Sequence, residues 1–266
     1  MGAVDLDYPR PGLGALEGFF ASFRGVRPLL VSDYDGTIAP FRRERNEAVP
    51  PEETRLLLRK IMGAGGDFIL LTGREASEAA SLLGLPAEIW GCHGWQRRSP
   101  SGETVTLPLS GTEEKALTVL PVLFQGFPRD AVEMKPVSAA LHWRDRPDVR
   151  EMYCRREKSI AEKASEAGFE RLPFDGGVEF RLPSCTKGEA MKRILSARSS
   201  RDPVCYLGDD VTDEDAFRVL GGRGVGIRIS SLQARSFAHV WLLPEERAEF
   251  FRRWLDALER ERKKNS

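Results

Sequence analysis

The chain has 266 residues, 41% of them hydrophobic, and exceeds the usual size of a single domain, so it can bury a full core. Its 40 Lys and Arg residues balance 40 Asp and Glu residues, which argues against a nucleic-acid-binding or membrane-surface protein. The four cysteines form no CxxC pair and have no zinc-like spacing, and no apolar stretch or signal-peptide pattern indicates membrane insertion or export. We therefore expect a cytoplasmic, monomeric protein that contacts neither nucleic acid nor a membrane.

The N-terminal part of the sequence alternates short apolar runs with amphipathic stretches. The predicted elements are a helix with the apolar stripe Leu13, Leu16, Phe20 and Phe23, a strand at 29–31, a helix at 52–63, a strand at 68–71, a helix at 75–83 and a strand at 88–90. Strands that alternate with helices in this way are typical of a doubly wound parallel sheet.

A different pattern begins near residue 98 and predicts an inserted module in which helices cover an antiparallel sheet. Its predicted elements are polar–apolar alternating runs at 104–107 and 132–143 and a charged helix at 148–167. The parallel-sheet pattern then resumes with a helix at 186–195, strands at 204–207, 225–227 and 240–243, and a closing helix that carries Phe250, Trp254 and Leu258. We predict an α/β fold, with a Rossmann-like core at 1–97 and 185–266, an inserted α+β domain at 98–184, and hinges near 97–100 and 182–186.

The run Asp33-Tyr34-Asp35-Gly36-Thr37 directly follows the first apolar strand. Side chains two residues apart in an extended backbone point to the same side, so Asp33 and Asp35 are expected to face one site while Tyr34 points away. Gly36 permits a sharp turn at the strand end. Because two crowded carboxylates repel each other, the pair predicts a bound cation or a shared proton.

Three further groups of polar residues stand at strand ends or helix starts. They are Thr72-Gly73-Arg74, Lys187, and the acidic residues Asp209, Asp210 and Asp213. In a parallel sheet, ligands bind beyond the carboxyl ends of the strands, so these groups are expected to meet there. A threonine hydroxyl and a glycine N–H suit a phosphate, a lysine can bridge phosphate and nucleophile, and crowded carboxylates suit Mg²⁺.

These groups match the needs of phosphate-monoester hydrolysis: a nucleophile, a proton donor for the leaving alkoxide, and positive charge near the phosphoryl oxygens. We predict that Asp33 attacks phosphorus to form an aspartyl-phosphate and that Asp35 is the acid and then the base. Thr72 and Lys187 complete the predicted catalytic set. The predicted metal ligands are Asp33, Asp35, Asp209, Asp210 and Asp213.

Each of these features also has an ordinary structural explanation when it stands alone. A DxDGT run fits an Asx turn, the residues at 72–74 fit a plain strand-to-helix turn, Lys187 fits a surface lysine, and the acidic run fits helix capping. The occurrence of all four, in this order and each after a strand or at a helix start, favours the catalytic interpretation.

The groups DYDGT, LTGR, the Lys of TKG and GDDVTDED resemble the four motifs of the haloacid dehalogenase superfamily of aspartate-nucleophile phosphatases. The insertion between the second and third motifs resembles the cap of the sugar-phosphatase branch. DYDGTIAP, GCHG, EMKPVSAALHWR, VEFRLPSCTKGEA and GDDVTDEDAF resemble the trehalose-6-phosphate phosphatase family over most of residues 28–220. The resemblance implies Mg²⁺-dependent hydrolysis of trehalose 6-phosphate, with a cap that closes over the substrate.

In that family, the cap holds the distal glucose through a Glu-x-Lys pair and a later Glu, which Glu133, Lys135 and Glu179 match. Such groups can accept hydrogen bonds from sugar hydroxyls and donate to them. Cross-strand ion pairs on a solvated sheet face are the alternative, and a structural turn histidine is an equal alternative for His93. The predicted substrate contacts are Gly73, Arg74, His93, Glu133, Lys135, His142, Arg144 and Glu179.

Two departures from the family pattern, Cys92 and the turn at 184–186, touch no catalytic position but weaken the substrate assignment. One alternative is therefore the same chemistry on another sugar phosphate, of the sucrose or mannosyl-glycerate type. A non-catalytic sugar-phosphate-binding regulator is a second alternative, against which the occupied catalytic positions argue. A phosphotransferase or mutase would need a second acceptor site that the sequence does not reveal.

Overall fold

The computed structural model describes residues 11–42, 44–174, 176–232 and 235–265. The chain divides into two units, here named the core unit (Met1–Val105 and Lys187–Ser266) and the inserted unit (Thr106–Thr186). No helix in the described ranges is both long and apolar enough to cross a membrane. The helices and strands are α1 (Glu17–Ala21), β1 (Leu29–Ser32), α2 (Glu52–Gly63), β2 (Asp67–Leu71), α3 (Ala76–Leu83), β3 (Glu88–Gly91), β4 (Gln96–Arg98), β5 (Thr104–Thr106), α4 (Gly111–Leu117), α5 (Leu120–Leu123), β6 (Val132–Met134), β7 (Ser138–His142), α6 (Pro147–Glu166), β8 (Glu170–Phe174), β9 (Gly177–Arg181), α7 (Lys187–Ser196), β10 (Val204–Gly208), α8 (Asp213–Leu220), β11 (Val225–Ile229), β12 (Val240–Leu242) and α9 (Arg247–Asn265).

An eight-stranded sheet, in the order β12-β11-β10-β1-β2-β3-β4-β5, runs through the described part of the core unit. The strands from β12 to β3 are parallel, and β4 pairs antiparallel with β3. Every residue of β1 and β10 is buried, as expected for central strands of a parallel sheet. This confirms the predicted α/β class. Ser32 lies opposite both Leu207 and Leu70, so the carboxyl ends of β10, β1 and β2 lie side by side.

An aromatic cluster attaches the terminal helices to this sheet. Phe20, Phe23, Phe250 and Trp254 are buried, and the rings of Phe23 and Trp254 lie 4.8 Å apart. Burial of an aromatic side chain of this size stabilises the fold by roughly 1.5–3 kcal/mol. The apolar stripes that predicted the first and last helices are therefore confirmed as core-facing.

The inserted unit contains an antiparallel sheet, in the order β6-β7-β9-β8, within the described residues. One face of this sheet is apolar, and Leu141, Val178 and Phe180 are fully buried there. Helix α6 contacts β8. The buried residues of α6 recur at helical spacing and form one side of the helix: Val149, Tyr153, Ile160 and Ala164. The opposite face of the sheet carries polar and charged residues, because neighbours along a strand alternate between faces.

The run at 104–107, which we predicted as part of the inserted module, instead forms β5 at the edge of the core sheet. A tight turn from β4 explains this position. The N–H of Ser99 donates to the carbonyl of Glu103 at 2.8 Å, and Gly102 adopts a φ of +99° that favours glycine. Polar–apolar alternation predicts a strand but does not determine which sheet the strand joins.

Candidate active site

A buried ion network lies at the carboxyl ends of the central core strands. Asp33 directly follows β1, and Lys187 is the first residue of α7. The Lys187 Nζ lies 2.7 Å from Asp33 Oδ1 and 2.7 Å from Asp213 Oδ1. Burial disfavours the ammonium charge, but the charges of Asp213 and Asp33 raise the pKa of Lys187 overall. Lys187 therefore remains a cation between two carboxylates.

Asp213 holds this network in place through both of its carboxylate oxygens. Oδ1 accepts hydrogen bonds from Lys187 Nζ and, at 2.5 Å, from the Tyr206 hydroxyl. Oδ2 accepts from the backbone N–H groups of Asp209 and Asp210, both at 2.9 Å. Burial alone would raise the pKa of Asp213, but the Lys187 charge and these hydrogen bonds lower it. Asp213 is thus a fixed anion that orients the lysine and the loop after β10.

Asp209 faces Asp33 from that loop. Its Oδ1 accepts a hydrogen bond from the Thr37 hydroxyl at 2.7 Å. Its Oδ2 lies 2.1 Å from the point where a Cβ on Gly36 would stand, and Gly36 has a φ of +75°. Position 36 of the DxDGT run therefore requires glycine both for backbone conformation and for the close approach of the carboxylate.

One carboxylate oxygen from each of Asp33, Asp209 and Asp213 lies within 4.8 Å of the others. Burial raises the pKa of Asp33 to about 7; the Lys187 charge opposes this shift and the Asp213 charge adds to it. Burial and the negative charges of Asp33 and Asp213 also raise the pKa of Asp209. An all-oxygen, negatively charged donor set of this kind fits a hard divalent cation, which relieves the repulsion.

Two predicted metal ligands lie outside this acidic cluster. Both oxygens of Asp35 accept hydrogen bonds from the Arg74 guanidinium, each at 2.7 Å. Asp210 is exposed, and its carboxylate accepts from the N–H of Val211 at 2.6 Å. Asp33 and Asp35 pair with different cations, Lys187 and Arg74. Crowding arises instead between Asp33 and the carboxylates of the loop after β10.

Thr72 and Gly73 follow β2, beside the ion network. Thr72 is fully buried, and its hydroxyl oxygen accepts from the N–H of Arg74 at 3.2 Å. His93 packs on this turn. Its backbone N–H donates to the backbone carbonyl of Thr72 at 2.9 Å, and its ring atom Cε1 lies 2.7 Å from a Cβ placed on Gly73. His93 is 5% exposed, with φ at +55°. The imidazole therefore fills the space that a side chain at position 73 would need.

The polar face of the inserted sheet carries a second cluster, here named the cap cluster: Glu133, Lys135, Ser138, His142 and Glu179. Pairing of Glu133 and Glu179 with the same residue, Ala140, puts both carboxylates on one face. Lys135 Nζ lies 3.1 Å from Glu179 Oε1, which also accepts from the Ser138 hydroxyl at 2.5 Å. His142 Nε2 lies 3.1 Å from Glu133 Oε2. The structure thus brings together four of the residues that the sequence predicted as substrate contacts.

Arg144, also predicted to contact the substrate, lies two residues beyond the end of β7. It lines a surface cavity of the inserted unit with Trp143, Arg146 and Phe174. The structure therefore places Arg144 in a different setting from the ion pairs of the cap cluster.

Three residues that build these sites were not singled out from the sequence: Thr37, Ser138 and Tyr206. Thr37 belongs to the DxDGT run, so that motif could have identified it as a site residue. Ser138 lies two and four residues before Ala140 and His142, so two-residue alternation along β7 could have identified it. In the sequence, Tyr206 fits the apolar pattern of a buried strand, and only the folded structure shows that its hydroxyl donates to Asp213.

Solved structures share the fold of this chain. A haloacid dehalogenase-like hydrolase from Bacillus subtilis superposes with a TM-score of 0.60 at 14% identity, covering 85% of this chain and 98% of that one. The C-terminal domain of trehalose-6-phosphate phosphatase from Candida albicans superposes with a TM-score of 0.77 at 21% identity, covering 94% of this chain and 99% of that domain. The fold is therefore that of the haloacid dehalogenase superfamily, with an aspartate after the first strand.

The sequence identifies the family more narrowly. The family model described as trehalose-phosphatase matches residues 31–239, which include every predicted site residue. A rice relative, "Probable trehalose-phosphate phosphatase 9", is 30% identical over 253 residues, covering 82% of this chain and 66% of the relative's length. The chain thus spans slightly less than two thirds of that protein. It belongs to the trehalose-phosphatase family.

Proposed function

We propose that this chain hydrolyses trehalose 6-phosphate to trehalose and phosphate through an aspartyl-phosphate on Asp33. Family membership supports the reaction and the substrate. The contact of Asp33 with Lys187, itself fixed by Asp213, carries the proposal. This contact provides a carboxylate at a strand end, beside an ammonium group that can donate hydrogen bonds to phosphoryl oxygens.

In the proposed reaction, an oxygen of Asp33 attacks phosphorus while Lys187 balances the charge of the phosphoryl group. The Thr72 hydroxyl and the Gly73 N–H are the proposed donors to its other oxygens. Asp35 donates a proton to the leaving sugar oxygen and then accepts one from the water that hydrolyses the aspartyl-phosphate. The 32% exposure of the Asp35 side chain is compatible with such proton transfers.

We also propose that the acidic cluster binds Mg²⁺. Asp33 and Asp209 are the preferred carboxylate ligands, because Asp213 already accepts four hydrogen bonds from the protein. When bound, the ion would neutralise charge on the phosphoryl group and on the nucleophile. The raised pKa values of Asp33 and Asp209 agree with this proposal, since burial and neighbouring carboxylates disfavour the negative charges that a bound cation would stabilise.

The proposed role of the cap cluster is recognition of the sugar. Glu133, Lys135 and Glu179 offer acceptors and donors that can exchange their mutual ion pairs for hydrogen bonds with hydroxyl groups. This supports a carbohydrate substrate rather than a small anion. Closure of the cap and a cytoplasmic, monomeric state without nucleic-acid or membrane contact stay predictions.

Phosphate release tests the proposed function. Trehalose 6-phosphate, sucrose 6-phosphate and glucose 6-phosphate are compared, each with Mg²⁺ and with chelator. Release that requires Mg²⁺ and strongly favours trehalose 6-phosphate is the expected result. Preference for another sugar phosphate would retain the chemistry and reject the substrate. Absence of release from all three, with binding of trehalose 6-phosphate retained, would favour the regulatory binder.

A further inference from the structure

Every nitrogen of the Arg74 guanidinium donates to a protein acceptor. Nε and Nη2 donate to the two oxygens of Asp35 at 2.7 Å each, and Nη1 donates to Glu78 at 2.5 Å and to the carbonyl of Arg45 at 2.9 Å. The side chain is 3% exposed. A buried, bidentate arginine–carboxylate pair fixes the plane of the carboxylate more strictly than a point charge can.

The surroundings of Arg74 hold it rigidly behind Asp35. The guanidinium lies over the Tyr34 ring, 5.2 Å from its centroid, and the Tyr34 hydroxyl donates to the carbonyl of Ala48 at 2.8 Å. Asp35 is ten times more exposed than Arg74, at 32% against 3%. The arginine is thus enclosed by protein while the carboxylate that it orients reaches solvent.

We propose that Arg74 is a positioning residue that aims the Asp35 carboxylate for proton transfer, rather than a residue that contacts the substrate. The proposal rests on the proposed function. In the second half-reaction, water attacks phosphorus and gives its proton to Asp35. The bond between phosphorus and the Asp33 oxygen breaks, and its electron pair regenerates the Asp33 carboxylate. This step depends on the direction of the Asp35 oxygens.

The chain offers a matched control for Arg74. Arg228 is also an arginine with low exposure that pairs with a carboxylate, Glu214 at 2.6 Å, and lies over an aromatic ring, Trp241 at 5.4 Å. Neither Glu214 nor Trp241 belongs to the proposed catalytic set. Replacement of either arginine by lysine keeps the charge, and at position 74 it removes the two-pronged contact with Asp35.

The test compares Arg74→Lys with Arg228→Lys on p-nitrophenyl phosphate with Mg²⁺, in stopped flow at high enzyme concentration. Its nitrophenolate leaves without needing a proton, so the first half-reaction does not require Asp35, whereas the second does. For Arg74→Lys we expect a burst of one nitrophenolate per active site, followed by turnover about 100-fold slower than in the wild type. Arg228→Lys should keep the wild-type steady-state rate.

Unchanged turnover in Arg74→Lys would overturn the proposal, and so would an equal loss of burst rate and turnover, which indicates general damage to the site. If Arg74→Lys does not fold, Glu78→Gln decides by the same criteria, because it removes one anchor of Arg74 at a position of 36% exposure. For Glu78→Gln we expect the same pattern with a several-fold smaller loss. Failure of the proposed function itself is distinguishable, since the wild type would then release no nitrophenolate.

Discussion

The acidic cluster of the core unit and the cap cluster of the inserted unit use the same residue types in opposite ways. In the core, Lys187 and Asp213 are 2% and 0% exposed, and Asp213 is fixed by backbone N–H groups. In the cap cluster, Glu133 and His142 are 25% and 46% exposed and bond chiefly to side chains of the same sheet face.

This difference separates chemistry from recognition. A buried network with excess negative charge is costly unless a cation or a proton enters, so it is suited to bind metal and react with phosphate. In the cap cluster, the His142–Glu133 pair, at 46% and 25% exposure, contributes little to stability, and the less exposed Lys135–Glu179 pair, at 17% and 7%, can exchange its ion pair for hydrogen bonds with sugar hydroxyls. Changes in the core should therefore affect turnover and folding, and changes in the cap cluster should affect substrate affinity.

Loss of the proposed nucleophile should reduce activity most. Asp33→Asn should reduce phosphate release from trehalose 6-phosphate by about 10⁵-fold, because an amide cannot form the covalent intermediate. Initial rates with Mg²⁺ provide the measurement. Asp256→Asn, at an exposed position of α9, is the matched control and should retain the wild-type rate. Substantial turnover by Asp33→Asn would reject the assigned nucleophile.

The second effect concerns folding of the core network. Lys187→Met leaves Asp33 and Asp213 buried without their shared cation, and should lower the free energy of unfolding by about 3–5 kcal/mol in urea. Lys192→Met, on the same helix but 58% exposed, should change it by less than about 0.5 kcal/mol. Similar values for the two variants would contradict a tightly coupled network.

The third effect is a pH dependence in the metal-free protein. The pKa of Asp33 is raised from 3.8 to about 7 on folding, so its stabilising contribution is complete below pH 3.8 and is lost as the pH rises through 7. The lowered pKa of Asp213 acts in the opposite direction, but its contribution is already complete above its ordinary value. With chelator, the free energy of unfolding should fall by about 2 kcal/mol between mildly acidic and mildly alkaline pH.

Denaturant titrations of the wild type and Asp33→Asn across this range isolate the contribution of Asp33, since the variant should have a flatter profile. Mg²⁺ should stabilise the wild type most at the alkaline end, where the acidic cluster is ionised. A wild-type profile that rises with pH in chelator, relative to the variant, would have the wrong sign for a crowded acidic cluster.

The smallest expected effect lies in the cap cluster. Glu179→Gln should raise KM for trehalose 6-phosphate about 10-fold and leave turnover of p-nitrophenyl phosphate unchanged, because only the sugar contacts are lost. Glu170→Gln, on the neighbouring strand and 49% exposed, serves as the control. Equal losses on both substrates in Glu179→Gln would show that Glu179 supports the fold instead of the sugar.

Much of the fold was predictable because its strands are short, uniformly apolar runs punctuated by turn and capping residues. The three central strands and helices α2, α3 and α9 follow directly from such patterns. Helix α4 was missed although Ser110 and Glu113 form a capping box, which is a local signal. The sheet to which β5 belongs was predicted wrongly, since hairpin geometry rather than apolar pattern determines it.

The candidate site was predictable where motif residues stand at strand ends, as with Asp33 and Asp209, or at helix starts, as with Lys187 and Asp213. The sequence could not reveal which cation pairs with which carboxylate. Arg74 pairs with a carboxylate 39 positions away, and that pairing depends on side-chain directions that only the folded backbone sets. The same holds for the contact of the Tyr206 hydroxyl with Asp213, because the hydrophobic pattern indicates only that Tyr206 is a core residue.

In the proposed mechanism, Asp33 carries the phosphoryl group during turnover. Enzyme mixed with trehalose 6-phosphate and Mg²⁺ is quenched in acid within one turnover, and the phosphorylated peptide is identified by mass spectrometry. We expect an acyl phosphate on the peptide that contains Asp33, and none in Asp33→Asn. Phosphate release by the wild type with the phosphoryl group on another residue, or without any phosphoenzyme, would contradict this role of Asp33.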